Sequence, residues 1–403
     1  MAGISTYGQS LTQIRLLNNQ NENFTRLANQ LTTGLKTDRF SGLGLDAMAS
    51  QRSRADVKAI DTYINNIDNA ERRLDAMLTS IREFKEQAEN LSSAMLLLSQ
   101  EGVHQKGDKI IYDDPLTPAI ETTEIGMSSG EIATELETIT DLADNLYPLL
   151  VDFLNIRDGD RYLLSGTDTN TAPISNNGTL DAAVSSLIQD WKDETLPAAQ
   201  NLNNTELISA LRSRTSADDP NAITDTIVGY SATLSAGNIN DVYIRVTDTT
   251  EIKYTAAANE QAFRDVMVVT AFLSNSNLTP IADAYAEPYT AGDPTIADGA
   301  PGATLEEQKQ NFFAVFNDMA QMLNTALDDI DTVEYQLESA RVRMHTTRES
   351  LVEQKNALLN TVSEVEQVDT NEIAVRINAM QVQIEASYRV TALTNELNLT
   401  RFI

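Results

Sequence analysis

The chain has 403 residues, 59 acidic against 29 basic side chains, and no cysteine. That length can bury one large core or about two to three smaller ones. The acidity excludes nucleic acid and anionic membranes as partners, because no basic surface offsets their phosphates. The missing thiols exclude disulfides and thiolate chemistry.

The charge is unevenly placed. Residues 1–100 carry eleven acidic and eleven basic side chains, and residues 301–403 carry sixteen and eight. Residues 101–300 hold the remaining 32 acidic and 10 basic groups. The ends are thus fit to associate with other chains, while the middle repels its copies and stays hydrated.

In chain order, Met1–Tyr7 lacks the charged and apolar regions of a cleaved signal peptide, so none is expected. A helical stretch is predicted from Ser5 to Thr33, with Leu11, Ile14, Leu17, Phe24, Leu27 and Leu31 as its apolar residues. Gly34 and Ser41-Gly42-Leu43-Gly44 read as a break. A long amphipathic helix follows, marked by Ile60, Ile64, Ile67, Leu74, Leu78, Ile81 and Ala88 and running to about Ser99.

Residues Glu101–Ile125 contain Gly102, Gly107, Pro115 and Pro118 and read as an irregular excursion before a helix from Gly130 to Ile156. Arg157-Asp158-Gly159-Asp160 is a turn signal. From there to Pro301 the composition shifts to Asn, Thr, Ser, Asp and Gly. Val242, Ile244 and Val246 alternate with Tyr243 and Arg245, and Ile252 and Tyr254 continue the period of two. A small β-containing insert is expected, with a helix around Glu260–Leu273 embedded in it.

No Gly or Pro occurs after Thr304. Ile330, Val333, Leu337, Ala340, Met344, Thr347, Leu351, Gln354, Leu358, Thr361, Val365 and Val368 form a heptad seam, weakened by its polar members. A second stretch runs from Ile373 through Ile377, Met380 and Ile384 to Tyr388, with Leu393 and Leu397 beyond. These seams fit subunit packing, and residues 330–368 fit an intramolecular bundle equally well. The two outermost helices are short enough to be marginal alone in water, so they are expected to be disordered in the monomer and to fold on assembly.

Catalytic motifs are not legible. The two histidines, His104 and His345, have no further ligands at metal or triad spacing. Adjacent carboxylates such as Asp113-Asp114 and Asp328-Asp329 are expected in so acidic a chain and read as solvated. Gly42-Leu43-Gly44 and Ser165-Gly166-Thr167 complete no phosphate loop. No enzyme, cofactor or metal is expected.

Leu27-Ala28-Asn29-Gln30-Leu31-Thr32-Thr33-Gly34-Leu35-Lys36 resembles the N-terminal "L-S-S-G-L-R" stretch of the flagellin superfamily, and Ser41-Gly42-Leu43-Gly44-Leu45 resembles its "A-A-G-L-A" element. Within that superfamily, Asp158–Thr167 is similar to the "D-G-R-Y-L-F-S-G" segment of the hook–filament junction family, hook-associated protein 3. It departs by the inserted Asp160 and by Leu164. Gln383–Thr391 resembles the same family's "L-E-A-S-Y-Q-V-T", while the ending Asn398–Ile403 departs from the usual "S-L-L".

The resemblance implies a secreted flagellar protein exported through the type III apparatus without a cleaved signal. Implied partners are the chain itself in a ring or helical assembly, the preceding hook-associated protein, flagellin and an export chaperone. It implies a mainly α fold, a long antiparallel helical rod with an inserted α+β or β-rich domain. Residues 1–42 with 366–403 would be an inner polymerisation domain, 43–165 with 303–365 the rod, and 166–302 the outer insert. The expected assembly interface comprises the twelve apolar residues named from Leu11 to Leu31 and from Ile377 to Leu397. Asp158, Gly159, Arg161, Tyr162 and Gly166 are expected to form the domain-boundary turn, either as a plain turn or as a brace for the insert. The alternatives are flagellin itself and, more distantly, a cytoplasmic helical scaffold or signalling adaptor.

Overall fold

A computed structural model of the chain describes residues 2–103, 109–112, 121–124, 129–192, 202–237, 241–279 and 305–399. The fold is mainly α, with long helices packing on one another and a few short strands. The chain divides into two compact units, Met1–Asn65 with Thr346–Ile403, and Asn66–His345. Among the described residues no helix is long and apolar enough to cross a membrane.

The first unit holds helix α1 (Ala2–Thr33), the start of α2 (Asp46–Val103), the end of α9 (Leu305–Glu366) and α10 (Thr370–Leu399). Helix α1 ends where Gly34 adopts a left-handed φ of 72° and returns its N–H to the Gln30 carbonyl at 2.8 Å. A 3-10 turn over Phe40–Leu43 then leads into α2. Asp369 caps α10, its Oδ1 accepting from the Asn371 and Glu372 amides at 2.8 and 3.2 Å. The C-terminal end of α1 and the N-terminal end of α10 meet through an antiparallel bridge, Leu35 to Gln367, so the two helices pack antiparallel.

In the second unit, Ile67, Leu74, Leu78, Ile81, Phe84 and Leu91 of α2 are buried, as are Ile132, Leu136, Ala143 and Leu150 of α3 (Ser129–Leu154). Phe316, Met319, Leu323, Ile330 and Leu337 of α9 are buried as well. Polar pairs fix the register of α2 against α9: Arg341 donates to Asp75 at 3.3 Å, Arg82 to Glu334 at 2.5 Å, Lys85 to Asp331 at 2.5 Å and Ser92 to Asn324 at 2.7 Å. Each step forward on α2 is matched by an equal step back on α9, which is an antiparallel pair.

The heptad seam of α9 drifts. Ile330 through Met344 and Leu351 are inward, but Gln354 and Thr361 are exposed, and Lys355 and Val362 take the inward positions instead. A straight helix turns every 3.6 residues, so a strict 3.5-residue seam slips by one position over a few heptads. Lys355 uses its place to pair with Asp61 at 2.7 Å. Val368 lies beyond the helix, in the link to α10.

The expected strand alternation is present as one hairpin, β5 (Tyr243–Arg245) on β6 (Glu251–Lys253), with Ile244 opposite Ile252. The earlier strands are β1 (Lys109–Tyr112) on β2 (Glu121–Glu124) and β3 (Arg157–Asp158) on β4 (Arg161–Tyr162). Among the described residues of the insert, α+β is the better of the two expectations, because most of the apolar residues there recur at helical spacing. Leu180, Val184, Leu187, Ile188 and Trp191 line one face of α4 (Thr179–Lys192). Helix α5 (Asn204–Arg212) opens with a capping box between Asn203 and Glu206. Two single-turn helices follow, α6 (Asp225–Val228) and α7 (Ala232–Ser235).

Helix α8 (Gln261–Leu273) is buried on nearly every face and packs on α3 and α4, as a helix apolar all round must. Phe263 meets Phe84 edge-on at 5.3 Å, and Trp191 stacks on Phe312 at 6.3 Å. Arg264, also fully buried, donates to the Ser213 and Ile223 carbonyls at 2.7 and 2.6 Å and to Asp265 at 2.9 Å. Its longer bonds to the Leu211 and Arg212 carbonyls complete a cap on the open end of α5.

Candidate assembly interface and domain-boundary turn

Helix α10 has two apolar stripes. Ile373, Ile377, Met380, Ile384, Ser387 and Thr391 are its least exposed positions, at alternating spacings of four and three. On α1 the corresponding row is Gln13, Leu17, Gln20, Phe24 and Leu27. These rows are the seam between the two helices, and Leu17, Phe24, Leu27, Ile377, Met380 and Ile384 are therefore packed within the chain.

The second stripe of α10 lies two residues on, about 200° around the helix. Val375 and Val382 are each 68% exposed, Val390 56% and Leu393 58%, with the exposed Ala379 and Ala386 between them. Tyr388 is 52% exposed beside this row. Helix α1 shows less: Leu11, Ile14, Leu16 and Leu31 are exposed, but Asn18, Asn19, Asn21, Thr25 and Asn29 make the rest of its outer surface polar. The side chain of Leu397 lies outside the described residues. Val375, Val382 and Val390 were not singled out in the sequence, where the inner heptad masks them; their signal is a second row of apolar residues at the same period.

A clasp holds the roots of the two terminal helices. Lys36 donates its amide to the Glu366 carbonyl at 2.7 Å, and Val368 donates to the Gly34 carbonyl at 3.0 Å. The Lys36 ammonium reaches the Glu364 carbonyl at 2.5 Å. The Glu366 carboxylate accepts from both arms of the Arg54 guanidinium, with Nε at 2.8 Å, and from the Ser50 hydroxyl. Hydrogen bonding from Arg54, joined by Ser50 and outweighing partial burial, pulls the Glu366 carboxyl down to about 2. The sequence gives no sign of this clasp, because its members lie more than 300 residues apart.

The 158–167 segment is a two-residue hairpin in the second unit. Gly159, at φ 62°, makes the turn between β3 and β4. The Leu163 amide donates to the Ile156 carbonyl at 3.0 Å, and the Ala258 amide to the Leu164 carbonyl at 2.9 Å, just ahead of α8. Leu164 and Gly166 are buried, while Tyr162 is half-buried beneath Arg157, whose guanidinium sits 4.8 Å from the ring centre. Asp158 accepts from Arg73 of α2 at 3.1 Å, with Arg72 at 3.7 Å, and Arg161 is exposed.

His345 is exposed on α9, and His104 lies outside the described residues, as does the Asp113-Asp114 pair. Among the described residues no group of three or more His, Cys, Asp or Glu side chains is placed to hold a metal.

Residues 320–403 match the bacterial flagellin C-terminal helical region. The match takes in α9 from Ala320 to its end and all of α10, the helix with two stripes. It supports the flagellin superfamily, and with it a structural, self-polymerising and extracellular component of the flagellum. No curated protein matches the chain.

Proposed function

We propose that the chain is an axial structural protein of the bacterial flagellum that forms the junction between hook and filament, polymerising through α1 and α10. The observation that carries polymerisation is the outer stripe of α10. A helix with apolar rows on opposite faces belongs in an interior, and α1 covers only one of them. A neighbouring subunit supplies the other surface, so this role is mechanical and needs no catalytic group.

The junction role rests on the resemblance of Asp158–Thr167 and Gln383–Thr391 to the junction family. The accompanying partners are the preceding hook-associated protein, flagellin and an export chaperone, with the terminal helices as the polymerisation domain and residues 166–302 as the insert. A bulk filament subunit is the second reading, favoured by the flagellin match itself.

Immunogold electron microscopy with antibody against residues 170–300 separates the two. Label confined to the zone where hook meets filament is the expected result. Label along the whole filament makes the chain a flagellin, and absence from the flagellum refutes both.

A further inference from the structure

The second unit carries two oppositely charged surfaces that the described residues neutralise only in part. One lies at the β3–β4 hairpin. Arg72, Arg73 and Arg161 gather around one carboxylate, Asp158, with Arg157 on the other face of the hairpin and Asp160 at its tip. The chain as a whole bears a net charge of −30, and beside Asp68, Glu71 and Asp75 of α2, the last paired with Arg341, these four arginines face the two aspartates of the hairpin as a basic island. Arg72 is 63% exposed, and its approach to Asp158 is only 3.7 Å. Arg161 is exposed and makes no ion pair among the described residues. A cavity of about 90 Å³, lined in part by Arg73, Arg161, Tyr162 and Tyr254, opens beside it and has room for the head of one side chain.

The other surface is α3. Its 26 residues include no Lys, Arg or His. Glu137, Asp141 and Asp144 share one face at spacings of four and three, all exposed. None of the three makes an ion pair among the described residues. Like charges at this spacing destabilise a helix that keeps them, so a counter-surface relieves a standing repulsion.

We propose that the arginine island at the β3–β4 hairpin receives the acidic face of α3 from a second copy of this chain. The two surfaces sit on different elements of one copy, so each copy offers both halves of the contact. Such a contact is head-to-tail and repeats around a ring or along a helix, the geometry a polymeric subunit requires. Arginine suits the task because its planar fork binds a carboxylate through two parallel hydrogen bonds. Charge also steers the approach: copies repel through their acidic middles except where the island faces α3. The inference rests on the self-assembly reading and adds which surfaces meet outside the terminal helices.

The test is a charge-reversal exchange on the full chain, read by sedimentation of assembled material at low and high salt. One variant carries Arg72→Glu and Arg161→Glu, the other Asp141→Arg and Asp144→Arg. Each alone is expected to raise the concentration needed for assembly by roughly tenfold or more. An equimolar mixture is expected to recover assembly, because the reversed island of one fits the reversed α3 of the other. Recovery also shows that both variants fold.

Wild-type chain that assembles equally well with either reversal overturns the proposal and leaves self-assembly standing. So does a mixture no better than its components, which would place some other partner on the island. Wild-type chain that does not assemble at all sinks the self-assembly reading and this contact with it.

Discussion

Replacing Val375 and Val382 by Asn tests the outer stripe of α10 at its two most exposed members. Full burial of a valine stabilises by about 1.5–3 kcal/mol, and about two thirds of each side chain is still open to solvent. Covering both on a neighbour is therefore worth roughly 2–4 kcal/mol, which the double variant forfeits. At about 1.4 kcal/mol per tenfold, its association constant falls roughly 30- to 1,000-fold. The monomer changes little, since Asn and Val have similar helix propensity and neither position packs within the chain. The assay pairs sedimentation of the polymer with far-UV circular dichroism of the dilute monomer. Unaltered assembly refutes the reasoning, and so does a monomer that loses helix content, which would mean the stripe serves the chain's own fold.

Three further outcomes follow from other parts of the molecule. Arg264→Met strands the carbonyls at the end of α5 and leaves the half-buried Asp265 without its cation, so it should cost about 3–5 kcal/mol. The single tryptophan, Trp191, is fully buried in the same unit and reports the loss as an earlier urea midpoint in its fluorescence; a change below about 1 kcal/mol contradicts the cap. Because the folded Glu366 carboxyl titrates below its unfolded value, the clasp stabilises fully above about pH 4.5 and weakens as pH falls from there through about 2. Arg54 is half-exposed, so water screens the pair and the effect is roughly 1–2 kcal/mol; Glu366→Gln should flatten the acid limb of an α1–α10 unfolding curve, and an unchanged limb removes the clasp from the account. Hydrogen exchange on dilute monomer should find α1 and α10 far less protected than α2, α8 and α9, and equal protection at both ends argues against folding on assembly.

Much of the helical frame was legible because it depends on local periodicity. The rows from Ile60 to Ala88 and from Ile330 to Met344 bury the residues that their spacing selects, apart from the half-buried Ile64. Gly34 marks the end of α1 and Gly159 a hairpin turn, each for the conformational reason that makes glycine a signal there. What escaped depends on partners distant in sequence. Helix α4 hides in an Asn- and Thr-rich stretch whose turn-forming residues outweigh its five apolar positions, and only packing on α8 decides for the helix. Gln354 and Thr361 look like seam residues until accumulated helical twist turns them outward. The residues expected at the interface divided for a similar reason: a single heptad describes the row that meets α1, while the exposed apolar row of α10 follows the same period on the opposite face.

The inner seam itself argues for assembly. It is built partly of Gln13, Gln20, Ser387 and Thr391, and the Gln20 Oε1 is buried there without a hydrogen-bond partner among the described residues. Each such position forgoes apolar burial, and an unpaired buried oxygen costs about 1–3 kcal/mol. The rows within the second unit contain no comparable run of polar residues, since Leu74, Leu78, Ile81, Phe84 and Leu91 follow one another in its core. Two helices of about 30 residues joined by so polar a seam gain little beyond the entropy lost in ordering them. The outer stripe of α10 is where the missing burial is available, and only another molecule can provide it. So polar a seam, beside a stripe that a neighbour would complete, supports the proposal that the ends order on polymer growth. The same residues would be a liability in a protein meant to stay monomeric, where α10 would carry polar side chains at 375, 382 and 390.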